Sequence, residues 1–269
     1  MINKIQNGDL NVEENKFNKR KKGFRKYWKL VMEVASNSGV KVEERYKRFK
    51  QKKRRVTFLD TSDFRIRKTG YILRQRQGYK KGRWCKKVEY ALKFRSTVLA
   101  VASRAKTKAP EFDAETEFEE DVSFFPSLPL KIKRIYALRT KFKTKEEPHY
   151  TVKGFAGFFP VLGKLGIPGD TTLSPVNGIV IYERKIKPGQ LRFGHGLKAK
   201  AAMTVWLDAK KQPLIAEFSF DHSIKTFGNE PKKATKKMWD FYKALRQRSK
   251  NWIAKGTTKT AFTYGRKKK

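Results

Sequence analysis

The chain has 269 residues, 65 of them Lys or Arg and 25 Asp or Glu, for a formal net charge of +40 at pH 7. That length is enough to bury a core in one large domain or two small ones, and an aromatic content of 13% excludes a disordered polyelectrolyte. The charge directs the protein towards polyanions without choosing among nucleic acid, polyphosphate, acidic membrane surfaces and nucleotides, and a single cysteine, Cys85, excludes an intrachain disulfide.

The N-terminal stretch MINKIQNGDLNVEENKF has no apolar h-region and is not expected to act as a secretory signal. No run of about 18 apolar residues reads as a membrane span. With the lone cysteine, this makes a cytoplasmic protein the expectation. In GFRKYWKLVMEVASNSG, Phe24, Tyr27, Trp28, Val31, Met32 and Ala35 recur at helical spacing until SNSG stops the pattern. The basic segment KVEERYKRFKQKKRR then reads as a solvated helix or a loop, so that 17–55 forms a basic, largely helical region.

Strand signals follow. VTFLD and YILRQRQG flank a turn-rich connection holding Asp60, Ser62 and Asp63, with Gly70 before the second strand. VEYALKFRS, AETEFEEDVSFF, RIYALRTKFKTK, IVIYERKIK, AAMTVWLDA and LIAEFSFDH bring the total to eight. The Gly/Pro-rich GFAGFFPVLGKLGIPGDTTLSPVNG between them reads as a loop or insertion. At the C-terminus, Met238, Phe241, Tyr242, Leu245 and Trp252 mark an amphipathic helix over about 231–253.

The strands alternate in one manner. Arg74 and Arg76 share a face, as do Lys93 and Arg95, and Arg139, Lys141 and Lys143, while Glu117, Glu119 and Asp121 form an acidic row, as do Glu217 and Asp221. An open sheet with helices on its apolar side accounts for one charged face per strand. The segregation of charge by strand also suits a closed antiparallel barrel of about eight strands, with a basic wall holding phosphates and an acidic wall reaching them through a divalent metal.

FLDTSDFRIRKTGYILRQR, LKFRS, EFEED, PLIAEFSFDH and GTTKTAFTYG, in that order, resemble the CYTH or triphosphate tunnel metalloenzyme family. The resemblance covers nearly the whole chain as a single domain, 1–269, and implies an α+β fold around a polar β-barrel tunnel. It departs from the family at VEENKF, read as the opening strand, where Val12 stands at the first of two acids.

The resemblance implies a metal-dependent triphosphatase acting on a linear or nucleoside triphosphate. Lys16, Arg74, Arg76, Lys93, Arg95 and Arg139 would hold phosphates, and Glu14, Glu119 and Glu217 would hold Mg²⁺ or Mn²⁺. Lys93 and Glu119 would be catalytic, with Glu117, Arg184 and Lys185 as further candidates. Two other readings stand beside it: a noncatalytic polyphosphate-binding module, and a nucleic-acid-binding protein using the basic ends NKRKKGFRK and YGRKKK. A monomer or a homodimer suits each of them. No P-loop occurs, and His149, His195 and His222 lack zinc-ligand spacing.

Overall fold

The computed structural model describes residues 2–3, 13–44, 51–124, 132–223, 231–250 and 259–265, without the side chains of 2–3, 13–22 and 124. The contacts divide the chain into two compact units. One comprises Met1–Lys52, Arg184–Leu207 and Gln212–Gly256, the other Lys53–Glu183, Asp208–Lys211 and Thr257–Lys269.

In the first unit, helix α1 (Glu13–Asn37) buries Phe24, Tyr27, Trp28, Val31 and Val34. Helix α5 (Lys232–Arg248) buries Phe241, Tyr242 and Leu245. The two are tied where the Tyr27 hydroxyl meets Ser249 Oγ at 2.9 Å. The strands of this unit are β1 (Ile2–Asn3), β2 (Lys41–Glu44), β10 (Gly189–Gly194), β11 (Leu197–Leu207) and β12 (Pro213–Asp221). They pair antiparallel in the order β1–β12–β11–β10–β2.

Three sequence expectations change here. VEENKF is not a strand: α1 begins at Glu13, so Glu14 and Lys16 stand on its first turns, and their side chains lie outside the described residues. The segment EENKFNKRKK has good helix formers and no β-branched residue, and its leading carboxylates favour a helix start. The basic region is not helical to residue 55. Lys41–Glu44 is recruited as a strand by β10, where Val42 pairs with Leu191. This close pairing needs Gly189, because a Cβ there would lie 2.2 Å from the Glu43 carbonyl oxygen. Trp252 of the expected C-terminal helix lies outside the described residues, and α5 ends at Arg248.

In the second unit, β3 (Lys52–Asp60), β4 (Tyr71–Lys80), β5 (Arg83–Ser96), β7 (Ile132–Thr144) and β6 (Glu115–Phe124) are antiparallel neighbours in that order. The short β8 (Ser174–Pro175) pairs with β3, and β9 (Ile181–Ile186) lies beside β3 and spans the boundary between the units. One sheet face is apolar: Leu59, Leu73, Val88, Tyr90, Leu92 and Phe142 are all buried there. The Gly/Pro-rich segment, expected to be a loop, covers this face. It folds into α4 (Val152–Ala156) and a 3₁₀ turn (Pro160–Lys164), and it buries Phe155, Phe158, Phe159 and Leu162.

The α+β class and the antiparallel pairing hold. The closed eight-strand barrel does not appear among the described residues: β6 pairs with β7 on one side and the pairings do not return to β6 on the other. The acidic row of β6 finds its counter-charges on β7 beside it and on β5 beyond β7, on the same sheet, so no opposite wall is needed to neutralise it. No helix among the described residues is long and apolar enough to cross a membrane.

Candidate phosphate-binding face

The second unit presents its charged face opposite the aromatic core. Strand register sets the rows. Lys93 pairs with Arg139, which pairs with Glu117. Arg95 stands opposite Ala137, which stands opposite Glu119. Because side chains alternate at a period of two, each row projects from the same face.

The rows are knitted by ion pairs. Lys93 Nζ lies 2.5 Å from Glu119 Oε2 and 3.3 Å from Asp121 Oδ2, and Arg95 Nη2 lies 3.0 Å from Asp121. Arg139 bonds Glu117, and its Nη2 reaches Glu119 at 2.9 Å. Lys141 bridges Glu115 and Glu117 at 3.0 and 3.1 Å. Further along, Arg76 approaches Glu89 at 3.5 Å, and Arg54 bonds the buried Glu183. Most of these groups are half-buried, so salt screens them less than surface pairs.

The shifts follow the geometry. Burial raises the Asp121 carboxyl, but Lys93 and Arg95 outweigh it and hold it below its usual value. Burial pushes the Lys93 ammonium down, with Arg95 adding to this against Asp121 and Glu119. A hydrogen bond with Glu115, then the charges of Arg139 and Lys141, hold Glu117 at about 2.

Arg74 differs from its neighbours. Its Nε and Nη2 are buried with no hydrogen-bond partner, and the Nε atoms of Arg76, Arg95 and Arg139 are likewise unpartnered. Burial, with repulsion from Arg76, pushes the Arg74 guanidinium well below its usual pKa. Each unsatisfied buried donor costs about 1–3 kcal/mol. Such a cluster of donors on one face suits an anion with several oxygens. Arg74, Lys93 and Arg95 line a cavity of about 40 Å³ with Phe58, Ile72, Ala91 and Thr260. The cavity is narrow, with Lys93 and Arg95 drawn towards Glu119 and Asp121.

Of the expected phosphate ligands, Arg74, Arg76, Lys93, Arg95 and Arg139 therefore share one face, and the expected catalytic pair, Lys93 and Glu119, is in direct contact. Arg184 and Lys185 on β9 belong to the first unit, as does Glu217 on β12. The acidic strand does not form a separate wall: its carboxylates are matched one by one to protein cations. Among the described residues no three His, Cys, Asp or Glu side chains gather as metal ligands. The β6 carboxylates as arranged do not fit a divalent ion, since each already faces an ammonium or guanidinium.

Sequence reasoning left out Thr260, Lys141 and Asp121 from the site. Asp121 and Lys141 were visible in the alternation. Thr260 was not, because only folding brings α6 (Lys259–Gly265) to the cavity. The DT pair of the motif has a structural task. Asp60 accepts hydrogen bonds from the backbone N–H groups of Thr61, Ile66 and Arg67 at 2.8–3.0 Å, and from the Tyr264 hydroxyl at 3.0 Å. It thereby fixes α2 (Arg65–Lys68) and α6 to the end of β3.

No protein-family model matches the chain, and no curated protein matches it. The solved structures similar to it include three of known source. A Hippeastrum protein described as a candidate adenylyl cyclase with a dominant triphosphatase activity is 11% identical over 89% of this chain and 90% of its own, with a TM-score of 0.44. A candidate adenylate cyclase from Bacillus halodurans is 13% identical over 87% and 91%, with a TM-score of 0.42. A Pyrococcus horikoshii OT3 protein is 11% identical over 84% and 86%, with a TM-score of 0.32.

Proposed function

We propose that the charged face of the second unit binds a linear triphosphate and hydrolyses its terminal phosphoanhydride. The observation that carries this reading is Arg74: a half-buried guanidinium with two unpartnered donors, beside Lys93 and Arg95 at a cavity. Guanidinium donors match phosphate oxygens in charge and spacing. Phosphoryl transfer asks mainly for positioning and for neutralisation of spread-out negative charge.

In this scheme the phosphate chain displaces Glu119 and Asp121 from Lys93 and Arg95 and takes over their donors. The freed Glu119 carboxylate orients a water and accepts its proton as the oxygen attacks the terminal phosphorus. The bond from that phosphorus to the bridging oxygen breaks, and Lys93, whose pKa burial has lowered, donates a proton to the departing diphosphate. Orthophosphate and diphosphate leave. No step runs through a metal ion.

A noncatalytic polyphosphate-binding module is the second reading. It is favoured by the ion pairs that hold the Glu119 and Asp121 carboxylates on Lys93, Arg95 and Arg139, which leave neither carboxylate free to act as a base. Phosphate release from tripolyphosphate separates the two, measured with Mg²⁺, with Mn²⁺ and with chelator beside Lys93→Ala. Release lost in the variant supports the enzyme. Tripolyphosphate binding without release supports the module, and neither binding nor release refutes both.

A further inference from the structure

The same sheet carries a second, chemically different surface on its other face, beyond the edge of the hydrophobic core. Register places Lys53 opposite Tyr79 and Arg55 opposite Gln77 across β3 and β4, and Tyr79 opposite Trp84 across β4 and β5. The Tyr79 and Trp84 rings meet edge to face at 5.0 Å. Arg55 lies over the Trp84 ring at 5.2 Å, and Lys53 lies 5.9 Å from the Tyr79 ring centre. Next to them is a pocket of about 290 Å³ lined by Arg55, Gln75, Gln77 and Tyr150 over an apolar floor that includes Leu59 and Val180.

The polar groups of this pocket are the Arg55 guanidinium, the Thr57 hydroxyl, the Gln75 and Gln77 amides and the Tyr150 phenol. Gln77 donates through Nε2 to the Cys85 carbonyl at 2.8 Å, which leaves its Oε1 buried without a hydrogen-bond partner. The β4–β5 turn beside the aromatic pair presents exposed Lys80, Lys81 and Arg83, with Lys86 and Lys87 following. No carboxylate lines the pocket.

We infer that this face binds single-stranded nucleic acid. Bases have flat faces that stack on Tyr, Trp and Arg, edges that pair with amide groups, and a phosphate chain that follows lysines. A planar base fits a pocket of this size with a hydrophobic floor, and the Gln77 Oε1 supplies an acceptor for a ring N–H, such as that of thymine, or for an exocyclic amino group. Duplex DNA keeps its bases stacked inside and cannot use the aromatic pair. The surface is distinct from the charged face, because Gln75, Gln77 and Tyr79 alternate with Arg74 and Arg76 along β4. It is independent of the triphosphatase reading.

A chain with this net charge binds any polyanion weakly through its lysines, so the test must hold charge constant. Binding of a fluorescent oligothymidylate to the full chain would be followed by anisotropy at about 200 mM salt, where nonspecific phosphate contacts have weakened. Trp84→Ala leaves the charge unchanged and is expected to weaken binding about tenfold or more. Lys232→Ala/Lys233→Ala, which removes two exposed charges from α5, is expected to weaken it far less. Tripolyphosphate turnover should be the same in Trp84→Ala as in the parent. Equal losses in the two variants, or no binding by the parent, would overturn the inference. If Trp84→Ala does not fold, ultraviolet cross-linking of the parent to the same oligonucleotide decides it. Adducts on the peptides carrying Tyr79, Trp84 or Tyr150 support the inference, and adducts confined to other peptides overturn it.

Discussion

Replacing Glu119 by Gln should move stability and affinity in opposite directions. The Glu119 carboxylate accepts Lys93 at 2.5 Å and lies 2.9 Å from Arg139. Two unit charges about 4 Å apart interact by about 4 kcal/mol at an effective dielectric constant of about 20. The glutamine oxygen still accepts one hydrogen bond and water reaches both partners, so the net loss should be about 1–3 kcal/mol. That corresponds to a melting point lower by roughly 3–10 °C. The same substitution removes a negative charge that would remain within roughly 6 Å of a bound phosphate, which stabilises the complex by about 1–3 kcal/mol, or about 5- to 150-fold in Kd. Titration calorimetry with tripolyphosphate in chelator measures this directly, and kcat should fall while KM also falls, because the same carboxylate receives the proton from water. If Glu119 instead served as a metal ligand, Glu119→Gln would weaken binding in Mg²⁺ and leave it unchanged in chelator. Unchanged or weaker binding in chelator would refute the counter-ion assignment.

Arg74→Met removes two buried unpartnered donors; it should raise the melting point by a few degrees while weakening tripolyphosphate binding about tenfold or more, read by thermal shift with and without ligand. Asp60→Ala strands three backbone N–H groups and the Tyr264 hydroxyl, and should cost about 2–4 kcal/mol in denaturant unfolding, against about 1 kcal/mol for Tyr264→Phe. Glu117 is held at about 2, below the ordinary 4.5, first by its hydrogen bond with Glu115 and then by Arg139 and Lys141. A depressed carboxyl contributes stability that is present above the unfolded value and lost as pH falls towards the folded one. Thermal midpoints should therefore decline from about pH 4.5 downward, and Glu117→Gln should flatten that decline.

The position of charge along each strand was legible in the sequence. Alternation at a period of two assigned Arg74 with Arg76, Lys93 with Arg95, and Glu117 with Glu119 and Asp121 to common faces, and the structure keeps every one of those pairings within its strand. The helical spacing of Phe24, Tyr27, Trp28 and Val31 likewise survives, because an apolar stripe specifies its own burial. What the sequence could not hold is the register between strands. Period-two reasoning orders the residues of one strand but does not say which strand lies beside it, so the acidic row of β6 was expected across a lumen from the basic rows. Pairing of β6 with β7, and of β7 with β5, sets it on the same face and turns its carboxylates into partners of Lys93, Arg95 and Arg139. The same limit concealed the strand formed by Lys41–Glu44, whose polar composition becomes a strand through pairing with β10. It also concealed the core made by the Gly/Pro-rich segment, whose phenylalanines have no period until the sheet supplies a surface. Local sequence determined which side chains could act together, and long-range pairing decided what each of them faces.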